Sequence, residues 1–368
     1  MSVLFRLTWP VVITNLLQFS ITSISVFSLG HINTESLAAI SLASLFVNTT
    51  GQCVAQGVAS ALDTLCSQAF TGSHDFYAIG KHLQRGIVVS FFLCIPIALM
   101  WWFSEAILLA LGQEPEIAQI AGLFIKWMIP GLFPIFLNEC LRKYLFAQGI
   151  MQPSMYITIF AACLSLFLQY LLVWSPVNIG AIGAPISTSI VNTIAPLATM
   201  VYIYFFKGGE RFGSWSWKEA CHPTKILDII YLGVPGTFMV VSEWLCFEAA
   251  ALAAGILGMD SLAAQSIVIN TVTILFQIPF GLAIATTTRI GNSLGANLPH
   301  TAKRVALTAL CLSALIAIVN MTLLLVFKDK LGYLFSNQES VVQLVASILP
   351  IAAVFQFSDS TGTILCGP

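Results

Sequence analysis

Apolar stretches of about 20 residues, each long enough to cross a bilayer core, recur along this chain with only short polar breaks between them. Ten can be read, at about 4–28, 37–62, 76–103, 117–147, 153–174, 182–206, 226–257, 261–288, 302–327 and 341–366. In lipid every backbone N–H and C=O must find its partner within the protein, which leaves helices or a closed barrel. Unbroken runs of this length, without strict alternation, specify helices. The 368 residues would suggest two or three soluble domains. A chain that is 58% hydrophobic and 8% charged overrules that, since an ordinary globular chain is about 25% charged. The expected fold class is therefore an all-α polytopic membrane protein. A net charge of −1 gives no reason to expect nucleic acid as a partner.

The first apolar stretch, within Met1–Leu29, exceeds a signal core and lacks an Ala-x-Ala exit, so it is expected to be retained. Pro10, Pro96, Pro130, Pro134, Pro235 and Pro279 lie inside spans, where neighbouring helices re-satisfy the freed carbonyls and a bend is common. The nine cysteines form no C-x-x-C pair, so packing is expected of them and not a disulfide framework or a metal site. The sequons at Asn48 and Asn320 fall inside spans and are discounted. With the N-terminus on the inner side, 12 of the 15 Lys and Arg residues collect on inner segments, and only Lys126, Lys328 and Lys330 fall outside. That asymmetry obeys the positive-inside rule and supports the span count. Lys126 is expected to snorkel to the outer interface.

Shifting the sequence by 225 residues aligns its two sides. Leu7 meets Leu232, Pro10 meets Pro235, Gly30 meets Gly255, and Ser36-Leu-Ala-Ala39 meets Ser261-Leu-Ala-Ala264. Gln113-Glu114 meets Gln338-Glu339 and, after a small slip, Ile129-Pro130 meets Leu349-Pro350. Ordered matches at a near-constant offset indicate an internal repeat. An even number of spans per copy gives both the same orientation. The expected organisation is an N-lobe at 1–206 with helices one to six, a cytoplasmic linker at 207–224, and an incomplete C-lobe at 225–368 with helices seven to ten. Two pseudo-symmetric six-helix lobes would need twelve helices, so the chain is expected to be C-terminally truncated.

The seventh span carries Glu243-Trp-Leu-Cys-Phe-Glu248. At 1.5 Å per residue Glu243 lies about 20 Å from the outer end, near mid-membrane, and Glu248 is about 140° round the helix from it. The first repeat has Gln18 and Ser23 at the matching positions. On the tenth span Asp359 sits in a polar island with Gln356, Ser358, Ser360 and Thr361, and its first-half counterpart is Glu139. An intramembrane carboxylate is costly and commonly marks an ion or substrate pathway. The alternative for each acid is a structural hydrogen-bonding role, and for Glu139 an ion pair with Arg142 or Lys143. Trp244 is placed to stack on an organic cation, whereas Asp63 is expected to anchor a helix end. The Gly-rich run Arg289–Asn297 has no Walker order, and no nucleophile–base pair is readable, which points to a secondary carrier and not an enzyme.

Ala61-Leu-Asp-Thr-Leu-Cys-Ser-Gln-Ala-Phe70, Leu141-Arg-Lys-Tyr-Leu-Phe-Ala-Gln148, Glu243-Trp244 with Glu248, and Arg289-Ile-Gly-Asn-Ser-Leu-Gly295 together resemble the multidrug and toxic compound extrusion (MATE) family. The resemblance spans the whole chain and is to the eukaryotic branch, with a fungal member expected. It implies twelve helices in two lobes, and export of organic cations or xenobiotics in exchange for protons or sodium by alternating access. It further implies Glu243 as the ion-coupling acid, Glu248 as its companion, Asp359 as the acid of helix ten, and Gln18 and Trp244 beside them at the substrate site. No cofactor is expected. A monomer in the plasma or vacuolar membrane is the expected state. Carriage of organic acids or secondary metabolites, lipid flipping, and a non-transporting fragment stay open at this point.

Overall fold

The computed structural model describes residues 2–30, 34–174, 182–206, 208–335 and 338–366, with only the backbone described for Ser2, 22–30, 34–38, Trp174, Leu252 and Met259. All regular structure in those residues is helical. Nine helices among them are long and apolar enough to span a membrane. The remaining expected span, the second at 37–62, is a helical path in three pieces: α2 (Thr34–Val47), a π-helical turn at Asn48–Gln52, and α3 (Cys53–Gly72). The residues flanking that turn keep right-handed helical angles, so the path stays continuous. Its polar Asn48-Thr-Thr-Gly-Gln52 run lowers the local hydropathy. Inside it Thr50 donates to the Phe46 carbonyl at 2.6 Å and accepts from the Trp101 indole at 2.9 Å.

The remaining elements follow the expected order. They are α1 (Ser2–Gly30), α4 (Ala78–Trp102), the short α5 (Ser104–Ala110), α6 (Pro115–Ala147), α7 (Gln152–Gln169), α8 (Gly183–Phe205), the short α9 (Trp217–Ala220), α10 (Pro223–Leu257), α11 (Met259–Gly295), α12 (Pro299–Leu331) and α13 (Glu339–Cys366). Prolines open α6, α7 and α12, where a missing N–H costs nothing. Gly149 closes α6 at φ 72°. The Gly149 and Ile150 amides return to the Phe146 and Leu145 carbonyls at 2.8 and 3.0 Å, a Schellman ending that needs a residue without Cβ strain.

The helices pack as two compact units, Leu17–Val241 and Met1–Leu16 with Ser242–Pro368. Their boundaries fall within α1 and α10, so the packing units and the sequence repeats are different partitions. In Leu17–Val241 one core gathers Trp101, Ile125, Leu132 and Phe136, and a second gathers Leu62, Leu83, Leu141 and Tyr144. The segment after α8 lies on α4, with the Gln84 amide donating to Ser214 O at 3.0 Å and Arg85 paired to Glu219 at 2.8 Å. In the other unit α11, α12 and α13 pack through small or branched residues such as Ala264, Val268, Val345 and Leu349. Lys126 pairs with Glu105 at 3.2 Å, a partner that the sequence did not reveal. Asp63 lies mid-helix in α3 and pairs with Lys143, so it does not anchor a helix end.

One contact recurs in both units. A Cβ at Gly57 would overlap the Thr237 backbone, and one at Gly281 would lie 2.5 Å from Val12 Cγ2. Thr237 and Val12 are equivalent in the repeat, as are the two glycines within one residue. Each repeat thus passes half of its first helix to the second helix of the other copy, at a crossing that only glycine permits. Gly57→Leu is expected to force α3 and the first half of α10 apart, since overpacking costs about 1–3 kcal/mol. Ser60→Cys with Gly236→Cys, two positions in contact, should cross-link readily, and adding Gly57→Leu should cut the yield more than twofold. An unchanged yield would show that the crossing is not this close.

Candidate functional site

The outer half of α10 belongs to the unit that also holds α11, α12 and α13. From Val234 to Leu257 no described side chain of α10 is buried. Its register against α13 is set by Phe247 and Phe355, whose rings meet edge-on with centroids 6.5 Å apart. The seventh and tenth spans run in opposite directions. Glu243 lies one turn before Phe247 and Asp359 one turn after Phe355, so the two acids fall opposite each other. Glu243 is exposed in the protein alone and Asp359 is half-buried. Among the described residues no Lys, Arg or His forms an ion pair with Glu243, Glu248 or Asp359.

The rotation of α13 is fixed from behind. Gln356 and Ser360 are fully buried. Asn320 of α12 donates to Gln356 Oε1 at 3.3 Å, and Ser313 Oγ donates to the Ser360 carbonyl at 2.6 Å. Thr363 Oγ1 donates to the Asp359 carbonyl at 2.7 Å. These bonds hold the polar island of the tenth span against α12, leaving Asp359 on the flank toward α10. The buried Asn320 side chain thereby has a structural task.

Glu248 does not join the pair. It is half-buried and borders a separate cleft of about 450 Å³ lined by Ala251, Gly255, Ile256 and Leu262. Five residues turn it toward the start of α11, so two neighbouring helices serve the two acids of this one span. Trp244 is 42% exposed, next in sequence to Glu243. Ser23 has its side chain outside the described residues.

The matching positions of the first repeat lie together in Leu17–Val241. Arg142 Nη1 donates to Glu139 Oε1 at 3.0 Å and to Gln18 Oε1 at 3.2 Å, so a single guanidinium joins α1 to α6. Its carbon sits 5.5 Å from the centre of the Phe146 ring. Both charged side chains are more than nine-tenths buried. The expected ion pair of Glu139 is therefore present, and Gln18 is bound by protein. The reach of Arg142 to Gln18 is what sequence reasoning missed. Only the i,i+3 spacing of Glu139 and Arg142 was visible in advance.

The MatE family profile matches residues 10–171 and 235–367 of this chain. The chain belongs to the MatE family. A MATE relative from Schizosaccharomyces pombe, an uncharacterized transporter, is 34% identical over all of this chain and 68% of its own length. Multidrug and toxin extrusion protein 1 of Xenopus tropicalis is 34% identical over 97% of this chain and 62% of its own. Among solved structures, that of the eukaryotic MATE transporter AtDTX14 superposes with a TM-score of 0.91 at 29% identity, covering 100% of this chain and 81% of that one. This is a eukaryotic MATE transporter, an integral multi-pass membrane protein.

Proposed function

We propose that this MATE protein exports organic cations, in exchange for protons or sodium, by alternating access of its two lobes. The observation that carries the reading is the pair Glu243 and Asp359, two acids within apolar spans with no basic partner among the described residues. A carboxylate in such a position is retained when it binds something that comes and goes. An organic cation and a proton compete for the same negative charge. A proton arriving from the acidic side cancels one of the pair's two negative charges and releases the cation there. Loss of the proton on the other side restores the charge and admits the next cation. The relative from Xenopus tropicalis is by name a multidrug and toxin extrusion protein, in keeping with an exporter of varied substrates.

A one-for-one exchange of monovalent cations moves no net charge. Each pH unit then supplies about 1.4 kcal/mol, close to tenfold accumulation. Proteoliposomes of the purified protein, preloaded acidic or sodium-rich and offered a fluorescent cationic dye, test this. Dye accumulation is expected to follow the pH gradient and to fall at least fivefold in Asp359→Asn. Accumulation under a sodium gradient alone would make sodium the coupling ion. Accumulation under neither would refute the exchange.

A further inference from the structure

In the first repeat the position of the acid pair holds a bound cation that belongs to the protein itself. Pro130 of α6 aligns with Pro350 of α13, and at that offset Glu139 corresponds to Asp359. The burial pattern follows: Ala121, Ile125, Leu132, Phe136 and Cys140 are buried, and so are Val341, Val345, Ala352, Gln356 and Ser360. Burial alone fixes such an alignment only to within one helical turn. The turn is set by contacts. Gln18, the counterpart of Glu243, shares Arg142 Nη1 with Glu139 and so lies beside it, and Glu243 lies opposite Asp359 in the same register.

By that alignment the counterpart of Arg142 is Gly362. A Cβ built on Gly362 meets nothing within 4 Å. The first copy therefore has one acid, one amide and a buried guanidinium across both. The second has two acids, with open space where the guanidinium would start.

We infer that Arg142 is a resident counterpart of the transported cation, filling the first repeat's seat permanently, and that the equivalent seat at Gly362 takes a guanidinium-type cation from solution. The inference rests on the reading of Glu243 and Asp359 given above and adds the ligand class and the place. A guanidinium is planar and carries a fork of donors, and it satisfies two oxygens on neighbouring helices at once. Arg142 does this between α6 and α1. A quaternary ammonium has no donor to bridge with, and it is expected to bind this seat less well. In the first repeat Gln18 stands where the second has an acid, so Arg142 meets a single carboxylate and the pair is internally neutral.

The test uses the full chain in proteoliposomes, with dye export under a pH gradient as readout and guanidinium, methylguanidine and tetramethylammonium as competitors. Guanidinium and methylguanidine are expected to inhibit at least tenfold more effectively than tetramethylammonium. Gly362→Arg, which places a guanidinium three residues from Asp359 as Arg142 is from Glu139, is expected to lower export at least thirtyfold. It should do so without loss of the monodisperse, thermally stable protein. Gly362→Met, of similar length and no charge, is expected to lower export by only a fewfold. Equal damage from Met and Arg would make the effect steric and overturn the inference, as would normal export by Gly362→Arg or equal potency of the three competitors. Glu243→Gln separates the two levels. If it exports dye normally, the acid-pair reading itself fails. If it is inactive while Gly362→Arg is not, only the guanidinium seat fails.

Discussion

Glu243→Gln is expected to reduce pH-driven dye export to the passive leak while the protein stays folded and in the membrane. Gln keeps the size and most of the hydrogen-bonding shape of Glu and removes its charge. No ion pair reaches Glu243 among the described residues, so neutralising it orphans no basic group. Insertion scales put the cost of an acid at the centre of a membrane helix at about 2.5–3.5 kcal/mol, and an amide relaxes part of that. Stability is thus expected to hold or rise while function is lost, a combination that a merely structural acid would not give. The pH dependence carries the same sign. Wild-type export should rise as the trans side is acidified, about tenfold in accumulation per unit, and the variant should be flat. Vesicles in which Glu243→Gln still accumulates dye in step with the gradient would remove this acid from the coupling.

Much of this was legible because bilayer physics writes itself into sequence at low resolution. Run length alone located the spans, and the polar break at Asn48–Gln52 appeared as a π-turn within a continuous path. The repeat placed Gln18 opposite Glu243 and Glu139 opposite Asp359 before any coordinates. Pairings through space were not legible. Lys126 and Glu105 are 21 residues apart and Lys143 and Asp63 are 80 apart, and no periodicity links them. The exchange of helix halves at Val12–Gly281 and Thr237–Gly57 was hidden for a related reason: a glycine's neighbour is a property of two helices, and each sequence reports only one. The acids of α10 were visible as a pair on one helix. Their separation, Glu243 toward Asp359 and Glu248 toward the cleft near Leu262, needed the ring contact that fixes the register.

Arg142→Ala is expected to be the most destabilising single change in the first repeat. Glu139 and Arg142 are 5% and 7% exposed, and removing one partner of a buried ion pair costs about 3–5 kcal/mol because the other charge is left uncompensated. Gln18 would also lose its donor, and the Phe146 face its cation. The stranded group in that variant is the Glu139 carboxylate, so Glu139→Gln added to Arg142→Ala should recover more than half of the loss. Glu139→Gln alone should destabilise, by leaving the guanidinium charge buried with neutral partners. Melting of the purified protein in detergent, followed by size-exclusion recovery, measures all three. If the double variant is less stable than Arg142→Ala, the pair contributes through packing and not charge. Recovery in the double variant would instead show that what the first repeat cannot tolerate is an unaccompanied acid, the very condition that the second repeat maintains at Glu243 and Asp359.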